Sequence, residues 1–419
     1  MKILIKRGRL IEPEKGIDEI FDILIEDGKI KKIGNISENA DKIIDAEGKI
    51  VTPGLIDMHV HLREPGREDE ETLYTGTLCA LHGGFTCVCC MPNTSPPIDN
   101  IGIVKFIFEA DKNCTVYPVG AITKGLKGEE LAEIGDLVKG GCCAISDDGN
   151  SVMNSEIMRR ALEYSKMFDI PVISHAEDKN LSEGGDMNEG DMSLILGLRG
   201  IPRVAESIMV ARDIALAEYT GAKIHIAHVS TKESCEIIKR AKEKGIKVTA
   251  EVTPHHFTFT EEDLKDFDTN YKVNPPLRTK EDKEALKKAL KEGIIDVIAT
   301  DHAPHADFEK ELEFPEAPFG MIGLETAIPL IIQELIDTGI LTWIEAIEKL
   351  TKNPRKILKL KEGVIEEGGD ADITIIDPEK RWIYKKTYSK SRNSPLLGKE
   401  LKGKVLYTIY KGKVYEWED

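Results

Sequence analysis

The segment around residue 60 places two histidines and an arginine at every second position. His59, His61 and Arg63 follow an apolar run that is typical of a β-strand. Successive side chains of a strand alternate between its two faces, so these three side chains are expected to point the same way. Two imidazoles on one face can bind one metal ion, and a guanidinium group beside them can bind an anionic group of a substrate. The spacing therefore predicts a metal site with a cation for substrate binding next to it.

The elements that must position these residues form a regular series. From Pro53 to about Gly339, short apolar strands alternate with amphipathic helices, which is typical of a parallel sheet built from strand–helix units. Eight strands are predicted, with carboxyl ends near His61, Met91, Ile122, Ser146, His175, His228, Pro254 and Thr300. Eight units favour an α/β fold of the (β/α)8 barrel type, whose active sites lie at the carboxyl ends of the strands. A doubly wound open sheet is the alternative, and it is disfavoured because no glycine-rich phosphate turn follows the first strand.

Both ends of the chain are rich in predicted β-strands instead of helices. Near the N-terminus, Asp27-Gly28 is typical of a tight hairpin turn between two alternating apolar and polar runs. Similar alternating runs recur near the C-terminus. We expect residues 1–52 and 360–419 to form one small β-sandwich domain, which flanks the barrel at 53–359.

Several predicted strand ends carry a histidine or an aspartate. Asp147 and Asp148 follow the fourth strand, whereas His175, His228 and Asp301 mark the ends of the fifth, sixth and eighth. Each residue alone could be a hydrogen-bonded structural group, but together they fall on one rim of one predicted barrel. Imidazole and carboxylate ligands in combination suit zinc and related divalent ions. The sequence thus predicts a mixed ligand set, with a carboxylate after the fourth strand available to bridge a second metal ion.

The other histidines are expected to have supporting roles. His225 and His302 would face away from the neighbouring candidate ligands, because each is an odd number of residues from one of them. His255 and His256 are expected to be rim-loop or supporting residues. His305 lies in a predicted loop over the rim, where it can reach a substrate.

Charge and cysteine content narrow the classes of function. The chain has 57 Lys and Arg residues against 74 Asp and Glu residues, and its net charge of −17 disfavours binding to nucleic acid or to an anionic membrane. The eight cysteines follow no paired metal-binding pattern and no secreted disulfide framework, although Cys87, Cys89 and Cys90 could trap a metal. The N-terminal residues lack the pattern of a signal peptide, and no apolar run approaches membrane-spanning length. A cytoplasmic protein with buried thiols is therefore expected.

Two long motifs resemble the hallmark motifs of dihydroorotases, a family of the amidohydrolase superfamily. They lie at 57–66 and at 299–305, the latter followed by Lys310. Four shorter segments are similar to further family segments and occur in the family's order: 90–94, 146–149, 174–178 and 273–278. The segment 369–373 resembles the C-terminal sandwich of the superfamily, so that the resemblance covers nearly the whole chain.

The resemblance implies two zinc ions per subunit. Their ligands would be His59, His61 and Asp301 for the first ion, and His175 and His228 for the second. Asp148 would bridge the two ions at a position where relatives often carry a carboxylated lysine. The choice of Asp148 over Asp147 rests on the family's alignment, since spacing alone leaves both open. An aspartate bridge is shorter than that lysine, which leaves open whether both metal positions are always filled.

The same resemblance implies the substrate contacts. They would be Arg63, Asn93 and His305 around a substrate carboxylate, and Asn274 with the backbone of Phe319 and Gly320 around the ring, next to the metal ligand His61. The implied reaction is the reversible cyclisation of N-carbamoyl-L-aspartate to L-dihydroorotate and water, the third step of pyrimidine biosynthesis. In the hydrolytic direction a zinc-bound hydroxide would attack the ring amide, with Asp301 as general base and then general acid.

Two other classes of function are alternatives. Allantoinases and hydantoinases share the barrel and the cyclic-amide chemistry, but they usually have a lysine bridge and lack an arginine at the position of Arg63. A non-catalytic partner of aspartate transcarbamoylase would be expected to have lost metal ligands, and here the ligand set is complete. The sequence leaves open whether the chain forms a homo-oligomer or associates with aspartate transcarbamoylase.

Overall fold

Eight parallel strands form a closed barrel in the middle of the chain. The computed structural model describes residues 1–417. The barrel strands are, in chain order, Leu55–Val60, Phe85–Cys90, Thr115–Pro118 continued by Gly120–Ala121, Ile145–Ser146, Val172–Ser174, Ile224–Ile226, Val248–Val252 and Val297–Ile298. Each pairs in parallel with the next. The ring closes where Val60 forms a parallel bridge with His302. The predicted (β/α)8 barrel is confirmed, and each strand ends within two residues of its expected position.

Helices cover the outside of the barrel and return the chain to the start of the next strand. They are Leu73–His82, Ile101–Glu109, Ile134–Gly140, Ser155–Phe168, Val204–Thr220, Lys232–Glu243, Lys280–Lys291 and Ala327–Ile331, the last of which continues as a wider turn over Ile332–Ile336. In Ser155–Phe168 the buried residues Met158, Ala161, Leu162 and Ser165 recur every three or four positions, as expected of a helix with one face on a core. The Asn154 side chain accepts hydrogen bonds from the first free amides of this helix and fixes its start.

Shorter elements lie at the two ends of the barrel. The helices among them are Lys179–Ser182, Asp191–Leu196, Pro254–Thr258, Asp307–Lys310, Trp343–Leu350 and Lys352–Leu358, and a small parallel sheet pairs Met187–Asn188 with Gly200–Ile201. Single 3₁₀ turns cover Lys124–Leu126, Glu261–Leu264 and Thr269–Tyr271. Within residues 1–417, no helix is both long and apolar enough to cross a membrane.

The two ends of the chain share one eight-stranded sheet beside the barrel. Its strands are Lys2–Glu12, Ile17–Glu26, Lys29–Gly34, Lys42–Asp45, Ile50–Pro53, Ile373–Ile383, Glu400–Tyr410 and Lys413–Glu416. Antiparallel pairing of Ile50–Pro53 with Ile373–Ile383 joins the N-terminal part to the C-terminal part. Asp27 and Gly28 form the expected tight turn, with φ angles of 51° and 78°. Residues 418 and 419, which the predicted terminal domain includes, lie outside the described residues.

The first strand of this sheet contains a β-bulge, at which its pairing changes. A bulge between Ile5 and Gly8 interrupts its pairing with Ile17–Glu26. Before the bulge the strand also pairs with Lys42–Asp45, and after it with Ile50–Pro53. Such bulges bend a strand and re-aim its pairing. Apolar side chains on one part of the bent sheet, among them Ile3 and Ile23, form a core separate from that of the barrel, whereas Ile11 and Ile50 belong to the cluster that includes the barrel strands.

Apolar side chains fill the interior of the barrel below its upper rim. Ile56, Met58, Cys87 and Cys89 belong to this interior cluster, and Leu358 packs against it from the helix Lys352–Leu358. All eight cysteines are buried free thiols. The interior is therefore a packed core that supports the polar residues at the carboxyl ends of the strands.

Candidate active site

Asp148 lies between four histidine side chains at the upper rim of the barrel. Its Oδ1 lies 3.3 Å from Nε2 of His59. The same oxygen lies 3.6 Å from Nδ1 of His175 and 3.6 Å from Nε2 of His228. Its Oδ2 lies 3.5 Å from Nε2 of His61. All five side chains are buried, so the first, fourth, fifth and sixth strands bring their terminal polar residues to one point.

The preceding residue, Asp147, is directed elsewhere. Its Oδ1 accepts hydrogen bonds from the backbone amides of Ile122 at 2.8 Å and Thr123 at 2.9 Å. Its Oδ2 accepts a hydrogen bond from the Thr123 hydroxyl. These bonds tie the ends of the third and fourth strands together. Of the two aspartates that the spacing left open, Asp148 is thus the one that faces the histidines.

Asp301, after the eighth strand, lies next to both histidines of the first strand. Its Oδ1 is 3.0 Å from Nε2 of His61 and 3.5 Å from Nε2 of His59. Burial alone would raise the pKa of this carboxyl group, but the charges of His59 and the hydrogen bond with His61 hold the pKa well below its usual value. The group is therefore an ionised carboxylate at neutral pH.

Three polar side chains around the cluster fix the orientation of its imidazole rings. The contacts are Glu251 Oε1 with His59 Nδ1 at 2.5 Å, Asn93 Oδ1 with His61 Nδ1 at 2.8 Å, and Glu177 Oε2 with His175 Nε2 at 2.8 Å. Each oxygen accepts a hydrogen from one ring nitrogen, so the other nitrogen faces Asp148 without a hydrogen of its own in the neutral ring. Oriented imidazoles of this kind are typical of protein metal sites.

Glu251 and Glu177 are functional candidates that the sequence reasoning missed. Each had a local signal. Glu251 is the charged residue of the seventh strand, Val248–Val252, and Glu177 follows His175 by two residues. Their partners, however, could be found only from the fold, since Glu251 is 192 residues away from His59.

The buried cluster contains polar atoms without a hydrogen-bond partner. His59 Nε2 and Asp148 Oδ1 are two of them, and an unpaired buried polar atom is costly. Two sets of three residues each bring their ligand atoms within 4.8 Å of one another. The first set is His59, His61 and Asp301, and the second is His59, Asp148 and His228. Imidazole nitrogens and carboxylate oxygens are ligands of zinc and related divalent ions. The residues present therefore fit divalent metal ions.

The electrostatics of the cluster favour added positive charge. Burial lowers the pKa of His175, but the nearby Asp148 carboxylate and the hydrogen-bonded Glu177 carboxylate outweigh it and raise this pKa to about 9. Burial likewise opposes protonation of His59, yet Asp148 and other carboxylates raise its pKa well above the usual value. Carboxylates that hold protons on imidazoles in this way also stabilise a metal cation, which would replace those protons.

A cavity of about 470 Å³ opens above the cluster. All of the residues predicted to bind substrate line it: His61, Arg63, Asn93, Asn274, His305, Phe319 and Gly320. The ligand candidates Asp148, His175, His228 and Asp301 line its floor, and Glu177 and Lys179 line one wall. The fold thus brings the predicted metal ligands and the predicted substrate contacts into one space.

One wall of the cavity carries a guanidinium group and an imidazole in contact. Nη2 of Arg63 lies 3.3 Å from Nε2 of His305. Nε of Arg63 donates a hydrogen bond to the Pro304 carbonyl at 3.0 Å. Burial lowers the pKa of Arg63, but an arginine stays charged in proteins. This wall therefore presents a fixed cation in a chain of net charge −17.

Three residues of the site have a backbone conformation that L-amino acids seldom adopt. The φ angles are 61° at Arg63, 31° at His228 and 48° at Asp301. Residues in this region cost about 1–3 kcal/mol each and persist where the surrounding structure holds them. Their occurrence at three strand ends that supply polar groups supports a functional site at this rim.

Two of the remaining histidines contact buried glutamates. His225 Nε2 lies 3.1 Å from Glu251, the residue that contacts His59. His302 Nε2 lies 3.4 Å from Glu71. His255 and His256 belong to the short helix Pro254–Thr258 rather than to a loop. The proline at the first helical position suits a helix start because it needs no amide partner there.

Comparisons with known proteins show the family of the chain. A family model described as "Dihydro-orotase-like" matches residues 48–234. A dihydroorotase of Pelotomaculum thermopropionicum is 54% identical over 423 residues, which cover 99% of this chain and 98% of the relative. A dihydroorotase of Acetivibrio thermocellus is 54% identical over 419 residues, which cover 98% of each chain.

Among solved structures, an L-hydantoinase (dihydropyrimidinase) from Arthrobacter aurescens has the same fold. It superposes with a TM-score of 0.87 at 24% sequence identity, covering 98% of this chain and 95% of its own. The structural likeness shows the fold alone. The sequence similarity extends over the full length of the named dihydroorotases and therefore shows the family. The chain belongs to the dihydroorotase family of cyclic amide hydrolases.

Proposed function

We propose that this chain catalyses the reversible cyclisation of N-carbamoyl-L-aspartate to L-dihydroorotate and water, the third step of de novo pyrimidine (UMP) biosynthesis. The observation that carries the proposal is the presence of Arg63 in the same cavity as the histidine–aspartate cluster. A metal-binding cluster suits hydrolysis or formation of an amide. A guanidinium group beside it suits a cyclic amide that bears a carboxylate. The full-length relatives that carry the name dihydroorotase support the same reaction.

The metal ions in this proposal are two zinc ions. The residues that would hold them are His59, His61, His175, His228 and Asp301, with Asp148 shared between the two positions. When bound, such ions supply Lewis-acid polarisation of a carbonyl group and activation of water. The unpaired buried atoms of His59 and Asp148 support this assignment.

Asp301 holds and moves the proton in the proposed reaction. In ring opening, its ionised carboxylate accepts the proton that the attacking water loses. It then delivers this proton to the ring nitrogen as the amide carbon–nitrogen bond breaks. In cyclisation the substrate's carboxyl group reacts in its protonated form; the Asp301 carboxylate takes a proton from the carbamoyl nitrogen and delivers it to the hydroxyl oxygen, which leaves as water. Both directions therefore use one carboxylate that starts ionised, which agrees with its lowered pKa.

The cavity walls bind and orient the substrate. Arg63, Asn93 and His305 bind the ring carboxylate, whereas Asn274 and the backbone at Phe319 and Gly320 contact the ring. Nδ2 of Asn274 donates a hydrogen bond to Glu177 at 3.0 Å, which fixes the amide at the cavity wall. A substrate held in this way has its reacting groups already oriented, which raises the rate because the reaction no longer depends on a random encounter of those groups.

Allantoinase and hydantoinase activities are the main alternatives. Their ring substrates carry no carboxylate, so they would offer no anionic partner to the terminal nitrogens of Arg63 in the cavity wall. A non-catalytic role as a partner of aspartate transcarbamoylase gives no account of the buried cluster. Cytoplasmic location, homo-oligomer formation and association with that enzyme stay predictions.

The experiment that tests the proposal follows the ultraviolet absorbance of dihydroorotate with purified, metal-analysed protein, starting from each side of the reaction. We expect formation of dihydroorotate from N-carbamoyl-L-aspartate and its consumption in the reverse assay. The variant Asp301→Asn should keep its metal and lose at least about a thousandfold in kcat, because it cannot accept the proton. Absence of turnover in both directions by metal-loaded wild-type protein would overturn the proposal.

A further inference from the structure

Glu70 is a buried carboxylate that contacts both cationic side chains of the proposed carboxylate site. Its Oε2 lies 3.0 Å from Nε of Arg63, and its Oε1 lies 2.9 Å from Nδ1 of His305. The side chain of Glu70 is only 2% exposed. As far as residues 1–417 define the cavity, its lining includes Arg63 and His305 but not Glu70. Glu70 thus lies behind these two residues and joins them.

The contact with Arg63 determines which part of the guanidinium group is available. Glu70 approaches Nε, the nitrogen nearest the main chain, and the Pro304 carbonyl accepts a hydrogen bond from the same nitrogen. The terminal nitrogens Nη1 and Nη2 stay free of Glu70 and can form a bidentate pair with a carboxylate. A partner behind the group also offsets the desolvation of a buried cation. Glu70 therefore fixes the guanidinium group of Arg63 and leaves its terminal nitrogens directed at the substrate.

The contact with His305 determines which ring nitrogen faces the substrate. Nδ1 must carry a hydrogen to donate to Glu70, so Nε2 is the nitrogen left for other partners. Nε2 lies 3.3 Å from Nη2 of Arg63 and 2.8 Å from the Phe319 carbonyl. Burial lowers the pKa of His305 and the charge of Arg63 adds to this, whereas the hydrogen bond and charge of Glu70 favour the protonated ring. A substrate carboxylate beside Nε2 would favour protonation further, and Nε2–H would then donate to it.

We infer that Glu70 is a positioning residue for carboxylate recognition. It orients Arg63 and His305 so that both donate to the same carboxylate group of the substrate. The inference rests on the proposed function for the identity of that group.

A cation site is the competing explanation of this cluster, because Glu70, His305 and Glu309 offer ligand atoms close together. Arg67 already neutralises the carboxylates, since its Nη2 lies 3.2 Å from Glu70 Oε1 and 2.7 Å from Glu309 Oε1. Arg63 adds a second fixed positive charge at 3.0 Å from Glu70. A metal ion at this point would be repelled by both guanidinium groups. The cluster is therefore an ion-pair network behind the cavity.

The test compares the steady-state kinetics of Glu70→Gln and wild type, each with its metal content measured. We expect KM for N-carbamoyl-L-aspartate and for dihydroorotate to rise at least about tenfold, because Arg63 and His305 each lose a contact with a charged carboxylate. The kcat of the variant should stay within about threefold of the wild-type value. The matched control is Glu309→Gln. Glu309 contacts Arg67 and lies 3.7 Å from Nδ1 of His305, but no ion pair joins it to Arg63 among the described residues. Its KM should change less than about twofold.

A double-mutant cycle separates positioning from general destabilisation. In an Arg63→Ala background, Glu70→Gln should raise KM by less than about threefold, because one of its two partners is gone. Additive effects of the two changes would overturn the inference. So would an unchanged KM in folded Glu70→Gln protein, or a loss in kcat alone.

Two further outcomes keep the test decisive. If Glu70→Gln does not fold, Glu70→Asp keeps the charge but withdraws it by one methylene, and a raised KM with retained kcat is again expected; an unchanged KM would overturn the inference. Wild-type turnover is measured first. A wild type without turnover of either substrate would contradict the proposed function, whereas an active wild type with an unaffected Glu70→Gln variant would contradict only the role of Glu70.

Discussion

Oε1 of Glu251 lies 2.5 Å from Nδ1 of His59, in a fully buried contact between the seventh and first barrel strands. Burial would raise the pKa of this carboxyl group, but the charges of His59 and His225 lower it to about 2. Glu251 is therefore ionised and keeps the hydrogen of His59 on Nδ1. Nε2 of His59 is thereby directed at Asp148, which is the arrangement that a metal ligand needs.

The first prediction concerns this contact. Glu251→Gln should weaken metal binding about 10- to 100-fold, because the neutral amide no longer makes His59 a strong ligand. Competition with a chelator of known affinity measures the change. Glu325→Gln is the matched control, since Glu325 is the buried partner of His82 at 2.6 Å, away from the cluster. Equal metal affinity of both variants and wild type would contradict the role of Glu251.

The second prediction separates the adjacent aspartates. Asp148→Asn should lose bound metal, because it removes the carboxylate that faces all four histidines. Asp147→Asn should keep its metal and lose about 1–3 kcal/mol in the free energy of unfolding, because it weakens the buried bonds to Thr123 and Ile122. Elemental analysis and denaturant unfolding measure the two effects. Full metal content in Asp148→Asn would rule out the shared-ligand role.

The third prediction concerns recognition of the substrate carboxylate. Arg63→Ala should raise KM for dihydroorotate at least about a hundredfold, because a bidentate charged contact is lost. Any activity on dihydrouracil, the same ring without the carboxylate, should change little. Arg67→Ala is the control, since Arg67 is part of the same ion-pair network but does not appear in the cavity lining defined by residues 1–417. A KM that Arg63→Ala leaves unchanged would contradict the assignment.

The fourth prediction is a pH effect from Lys310. Its Nζ donates to the carbonyls of Pro318 at 2.8 Å and Gly320 at 3.1 Å, on either side of Phe319. Burial lowers the pKa of this lysine to about 7, below its value in the unfolded chain. Above pH 7 the unfolded chain therefore binds more protons at this residue, and the contribution of Lys310 to stability rises with pH.

The measurement is denaturant unfolding at pH 7, 8 and 9. Relative to Lys310→Met, the wild type should gain about 1 kcal/mol in unfolding free energy for each pH unit. Lys310→Arg should also lack this gain, because arginine does not titrate in this range. Parallel pH profiles of wild type and both variants would refute the prediction.

The barrel and the positions of its polar strand ends could be predicted because they depend on local patterns. Alternating strand and helix periods fix the order of elements, and a histidine or aspartate that ends an apolar strand marks the rim. The hydrogen-bonded turn at Asp27 and Gly28 is equally local.

The residues that the sequence could not assign depend on contacts between distant segments. Only the approach of Ile122 and Thr123 to the fourth strand shows that the Asp147 carboxylate accepts their backbone hydrogen bonds. The Asp148 carboxylate has no such bonds to them and faces the histidines. Glu251 is 192 residues from His59, and Glu70 is 235 residues from His305, so neither partner is visible in the sequence. Spacing and residue type predict which groups reach the rim, whereas tertiary packing decides which of them face each other.

The most direct measurement of the central claim is the ratio of kcat/KM for dihydroorotate to that for hydantoin and allantoin, with one metal-analysed preparation. Because we propose that the Arg63 wall of the cavity binds the ring carboxylate, dihydroorotate should be preferred at least about a thousandfold. Equal or greater kcat/KM for either carboxylate-free ring would contradict the account.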